Sequence, residues 1–150
     1  MAAYLDVITL ERAKNYLRID SGLTADDAEI ESMINAALRY IEKRTNHLVY
    51  AREATYTGVC QVKVYDYPIN SITTDPEPFV CYFSTFAVFP NDKTVDLNVG
   101  YTDADDVPDE LIQAALQMIK VFYYESEKQV NTTLIPDSVK EMIDVYRRFI

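Results

Sequence analysis

The alternation of apolar and polar positions in this chain changes period twice, and the two changes divide it into three stretches. In the first, Leu10, Ala13 and Leu17 recur at helical spacing, with Thr9 placed to cap the helix they predict. Gly22 interrupts the pattern. A second, longer helix is predicted from Thr24, its expected cap through the amide of Asp27, to Thr45. Ile30, Ile34, Ala37 and Ile41 form its apolar stripe, flanked by Met33, Leu38 and Tyr40. Asp26, Asp27 and Glu29 suit the positive pole of that helix, and Lys43 and Arg44 its negative pole.

From Arg52 to Val99 the period falls toward two. Val62 and Val64 alternate with Gln61, Lys63 and Tyr65, and Val95, Leu97 and Val99 with Thr94, Asp96 and Asn98, as half-buried strands do. Phe79 to Phe83 and Phe86 to Phe89 read as further strands, kept short by Pro68, Pro76, Pro78 and Pro90. The helical period then returns. Pro108 opens a third helix with two apolar rows, Leu111, Ala115, Met118, Phe122 and Ile112, Leu116, Ile119, Tyr123. Only Gln113, Gln117 and Lys120 leave it a polar strip, so it must be covered on most sides by its own domain or by a neighbouring subunit. Pro136 starts a fourth helix, spaced Val139, Met142, Ile143, Tyr146 and expected to run to the C-terminus.

The pattern therefore predicts a mainly α, α+β fold of about four helices. The long second and third helices pack together, with a small antiparallel β region of hairpins between them. Residues 1–150 are expected to form a single domain with a β-rich insert over roughly 52–99. A chain of this length buries about two-thirds of its unfolded surface, and its 49% hydrophobic content argues for a packed core over disorder. No apolar run approaches the about 20 residues needed to cross a bilayer, and no basic region precedes an apolar block at the start. Synthesis in a cytoplasm is the expectation, with no membrane partner.

Charge and composition narrow the chemistry. The formal net charge is −10, from 24 acidic and 14 basic residues, and the basic residues form no cluster in sequence. That lowers the case for a nucleic-acid-binding module, which would neutralise phosphates with grouped Lys and Arg. Cys60 and Cys81, without CxxC spacing, cannot build a tetrahedral zinc site unaided and read as core thiols. His47, the one histidine, closes the second helix and reads as structural. Asp103, Asp105 and Asp106 suggest calcium, but counting from Asp103 puts Pro108 and Ala114 where an EF-hand loop needs glycine and glutamate. They read as a solvated loop favouring the third helix. With no GxSxG, P-loop or GxGxxG and only three glycines, neither an enzyme nor a cofactor is expected.

Twelve tyrosines and no tryptophan stand out. Tyrosine joins a large apolar ring to a polar tip, which suits half-buried faces and protein interfaces. A domain of this size has too little interior volume for all these rings, so some are expected against partner chains.

The order of elements and several local strings resemble the head-tail connector (adaptor, or head-completion) proteins of tailed bacteriophages. The strings are Leu10-Glu11-Arg12-Ala13-Lys14 with Leu17-Arg18-Ile19-Asp20, the helix end Tyr40-Ile41-Glu42, and Tyr67-Pro68-Ile69-Asn70-Ser71-Ile72. Val99-Gly100-Tyr101 followed by Val107-Pro108 and Leu111-Ile112-Gln113-Ala114-Ala115 is the most specific, and Val145-Tyr146-Arg147-Arg148 resembles the closing helix. The resemblance implies a virion structural protein of the neck, assembled in the host cytoplasm. It implies a ring of about a dozen copies, closed by head-to-tail contacts, docked under the portal protein and offering a surface to the next neck or tail component. DNA would pass through without specific binding, an acidic wall repelling phosphate. The expected interface residues are Phe122, Tyr123, Tyr124, Tyr146, Arg147, Arg148 and Phe149, the last four as the portal contact.

Overall fold

The structure, a computed structural model, describes residues 4–58, 62–73, 80–82, 86–89, 94–128 and 135–147. Among the described residues five α-helices flank two small antiparallel sheets in sequence, so the α+β expectation holds. Cys60, Pro76, Pro78, Phe79, Phe83, Pro90, Arg148 and Phe149 lie outside the described residues.

A four-residue helix, α1 (Tyr4–Val7), precedes the first predicted one. In α2 (Leu10–Leu17) the Thr9 hydroxyl accepts from the Arg12 amide at 3.1 Å, as its position predicts. The helix stops at Arg18, which turns left-handed (φ 61°) and returns its N–H to carbonyls of the last turn, rather than at Gly22. Helix α3 (Asp27–Thr45) begins three residues later than its expected cap. Thr24 contributes only a backbone turn, its carbonyl accepting from the Asp27 amide at 3.4 Å, and Asp26 takes the cap position without a side-chain hydrogen bond.

Helix α3 packs along α4 (Asp109–Lys128), and α2 and α5 (Asp137–Asp144) cover the pair. Both apolar rows of α4 are buried within this chain through Ile119, so its all-round apolar character needs no second subunit over that length. The reason is geometric: α2, α3 and α5 each contact it, leaving Gln113 and Lys120 toward solvent. Helix α5 ends at Asp144 and passes into a turn, Tyr146 N–H bonding the Ile143 carbonyl at 3.0 Å, instead of running on.

The strands run from Arg52 to Val99. Sheet one has the order β1 (Arg52–Thr57), β6 (Thr94–Val99), β3 (Ile69–Ile72); sheet two has the order β2 (Val62–Val64), β5 (Phe86–Phe89), β4 (Val80–Tyr82). Among the described residues β4 and β5 are the one pair of successive strands that bond to each other; β6 closes sheet one by pairing with both β1 and β3, a non-local pairing. The period-two reading of β6 and β2 holds: Val95, Leu97, Val99, Val62 and Val64 are buried beneath Phe89 and Leu48. These form a core separate from the helical one.

One junction joins the two cores. Segments 46–50, 67–68 and 100–101 bond to each other through their backbones: Tyr67 N–H to Asn46 O (2.8 Å), Leu48 N–H to Tyr67 O (2.9 Å), Tyr101 N–H to Leu48 O (3.0 Å) and Gly100 N–H to Pro68 O (2.8 Å). Gly100 sits at φ +108°, and a Cβ there would lie 2.1 Å from the Tyr50 carbonyl oxygen. Only glycine permits both that angle and that approach. Gly100→Ala is therefore expected to lower stability by about 3 kcal/mol or more. Urea denaturation checks it, and a midpoint matching the parent would show that the junction yields freely.

Candidate functional site

The row Ile30, Ile34, Leu38 on α3 continues, one turn further, to Glu42. A carboxylate on an apolar row must find donors, and Glu42 is only 6% exposed. Its Oε1 accepts from the Val49 amide (3.0 Å) and Arg52 Nη1 (3.1 Å), and its Oε2 from Arg52 Nη2 (3.1 Å) and the Tyr4 hydroxyl (2.7 Å). The paired Arg52 contacts form a two-pronged ion pair. Tyr50 backs it: the Arg52 guanidinium lies 4.9 Å above the Tyr50 ring, and Tyr4 meets that ring edge-on at 5.0 Å. One carboxylate thus binds α1, α3, the following loop and β1.

The protonation states follow from these contacts. Burial alone would lower the Arg52 pKa, but the hydrogen bonds and charge of Glu42 outweigh it and raise it above the ordinary range. Burial, then the Glu42 carboxylate, raises the Tyr4 hydroxyl. Burial, then the Asp66 carboxylate that its hydroxyl bonds, raises Tyr56.

Around this cluster opens a groove of about 670 Å³, with buried Leu48, the rings of Tyr4 and Tyr50, and the cations Arg39 and Lys43 among its lining. Arg39 and Lys43 are exposed and stand one turn apart on α3. Among the described residues no group of three or more His, Cys, Asp or Glu could hold a metal ion. Asp103 instead caps a short 3₁₀ turn, its Oδ1 accepting from the Asp105 amide at 3.2 Å. Among the described residues no helix is long and apolar enough to cross a membrane.

The expected interface residues do not converge on one place. Phe122 packs half-buried on the helical core. Tyr123 also packs there, and its hydroxyl donates to Asp26 Oδ2 at 2.8 Å. Tyr124 is exposed at 41% and meets the Tyr123 ring edge-on at 5.8 Å. Tyr146 lies at the other end of α3, edge-on to His47 (5.7 Å), its hydroxyl donating to Glu110 Oε2 at 2.8 Å. That bond lowers the Glu110 pKa and raises that of Tyr146. Arg147 is exposed and has interactions of its own, while Arg148 and Phe149 lie outside the described residues. Half-buried Tyr146 thus braces Glu110 and His47 from the surface of the chain. His47 is buried beside Tyr67, and its Nδ1 shares a 2.9 Å hydrogen bond with the Tyr101 hydroxyl.

The Glu42 cluster escaped the sequence reading, although a signal was present. Glu42 falls on the apolar row of α3, as Lys14 falls on that of α2, and a charge in such a row announces a buried partner. The partner, Arg52, is ten residues away across a turn, which periodicity cannot see.

Glu42→Ala is expected to cost about 3–5 kcal/mol, because it strands a half-buried guanidinium and a buried amide. Arg44→Ala, which breaks the exposed Arg44–Asp144 pair at 3.3 Å, should cost no more than about 1 kcal/mol. Thermal and urea unfolding of the two variants check the contrast. Raised tyrosine pKa values also set an alkaline limit. Tyr4 and Tyr56 lose protons in the unfolded chain near the ordinary pKa of 10.0 but later in the folded one. The unfolded state then binds fewer protons, so stability is full below pH 10 and falls as pH rises beyond it. Tyr56→Phe should flatten that fall; an unchanged alkaline slope would assign it elsewhere.

None of the curated proteins matches. A chain from the neck of an empty gene transfer agent (GTA) particle computed with C6 symmetry shares the fold with TM-score 0.72 at 18% identity, covering 100% of this chain and 94% of that one. A chain from the virion of a native GTA particle gives TM-score 0.70 at 17% identity, again covering 100% and 94%. The family model described as phage gp6-like head-tail connector protein matches residues 7–147. The match takes in α2, α3, the junction at Gly100, α4 and α5, and the chain belongs to the phage gp6-like head-tail connector family.

Proposed function

We propose that the chain is a structural subunit of a connector ring in a phage neck, a mechanical part and not an enzyme. The family match over residues 7–147 carries this reading. The ring docks beneath the portal, extends the DNA channel and joins the capsid to the tail, contacting the portal protein on one side and the next neck component on the other. The neck that holds the similar GTA chain was computed with C6 symmetry, and a ring of about twelve copies fits that symmetry with two copies in each repeat. Assembly takes place in the host cytoplasm and the finished site is the virion neck. The net charge of −10 fits a channel wall past which DNA slides without being held.

The portal contact of this reading is Tyr146, Arg147, Arg148 and Phe149, and the last three can be changed without removing the Tyr146–Glu110 bond. Arg147→Ala, Arg148→Ala and Phe149→Ala together are expected to abolish co-sedimentation with the cognate portal while leaving the melting temperature within about 3 °C of the parent. Electron microscopy of the parent protein, alone and mixed with portal, should show closed rings stacked on the portal. A parent that neither forms rings nor sediments with portal overturns the function. A triple variant that binds portal as well as the parent overturns only this contact.

A further inference from the structure

The corner between α2 and α3 is held unusually firmly for a surface turn. Lys14, 4% exposed, points its ammonium under the corner, donating to the Leu23 carbonyl at 2.6 Å and the Ser21 carbonyl at 3.4 Å and pairing with Asp27. Asp20 Oδ1 accepts from the Gly22 amide at 2.8 Å. A buried ammonium is costly unless fully partnered, and here its partners are two carbonyls of one turn and the Asp27 carboxylate. The tip of that turn is Leu23, 62% exposed, flanked by the exposed acids Asp20 and Asp26. The corner is therefore a rigid apolar knob in an acidic collar.

The groove at the far end of α3 has the complementary make-up. Leu48, Tyr4 and Tyr50 give it apolar surface, while Glu42 is saturated by its four donors and Asp66 is engaged by Tyr56. Arg39, Lys43 and Arg52 outnumber the carboxylates Glu42 and Asp66 in its lining, and Lys43 makes no ion pair among the described residues. Knob and groove are separated by most of α3, roughly 24 Å for the sixteen steps from Asp27 to Lys43. They cannot meet within one molecule. A chain of net charge −10 repels its copies over most approaches, and this pairing of an acidic collar with a basic rim is one that attracts.

We propose that the Leu23 corner of one copy docks in the Arg39–Lys43 groove of the next, forming the head-to-tail joint between copies of this chain. The inference rests on the ring reading above. It supplies the two different faces that a closed ring requires.

The test uses the full-length protein with its portal, followed by sedimentation and electron microscopy. Leu23→Asp and Lys43→Glu both alter exposed side chains, so each variant should melt with the parent. Each alone is expected to lower ring yield at least roughly ten-fold, by placing charge on the knob or reversing the rim. An equimolar mixture should stop at dimers, because one intact knob meets one intact groove and neither remaining face can extend the chain. Rings formed by either variant at the parental yield, or full rings from the mixture, overturn the joint while leaving the connector reading in place. A parent that forms no rings with its portal overturns both.

Discussion

The buried carboxylate of Glu42 is the constraint on which the arrangement of this molecule depends. Its two oxygens take donors from α1, from the loop after α3 and from the first strand, so four parts of the chain are oriented by one group. A hydrophobic contact would tolerate sliding, because burial of apolar area has no direction. Hydrogen bonds to a desolvated carboxylate do not, since each donor must keep its distance and angle. The helical and sheet cores share few side chains, and this cluster, with the backbone junction at Leu48, Tyr67 and Gly100, fixes one against the other.

The same cluster shapes the surface. By neutralising Glu42 internally, Arg52 leaves the nearby rim to Arg39 and Lys43, so a strongly acidic chain carries a local positive edge. At the opposite end of α3, Lys14 is withdrawn into the interior and the acids around Leu23 face outward. Acids at the start of a helix and bases at its end are also what the helix dipole favours. The dipole accounts for Asp27, Glu29 and Lys43; it does not account for an exposed leucine at one end or an open groove at the other. Membership of the head-tail connector family gives these surfaces their setting.

The tyrosines show how composition and structure divide the work. The number of rings suggested interfaces, yet Tyr4, Tyr56, Tyr101, Tyr123 and Tyr146 each send their hydroxyl to a partner inside the chain. Tyrosine serves here as a long-reach brace, its ring packed and its tip bonded. Tyr124 stays largely open.

Periodicity by itself determined which residues are helix and strand and which face each buries: Ile30, Ile34 and Ile41 on α3, Leu111, Met118 and Ile119 on α4, Val95 and Leu97 on β6 all lie inside as their spacing requires. It also supplied the order of elements by which the family is recognised. Boundaries at Arg18, Asp26 and Asp144 followed local turn chemistry that spacing does not encode. Tertiary structure alone decided that β6 lies between β1 and β3, that Arg52 answers Glu42, and that Gly100 touches Tyr50. The physical reason is range. A helical or pleated repeat is written by neighbours within a few residues, whereas an ion pair, a sheet partner or a groove depends on where the rest of the chain comes to rest.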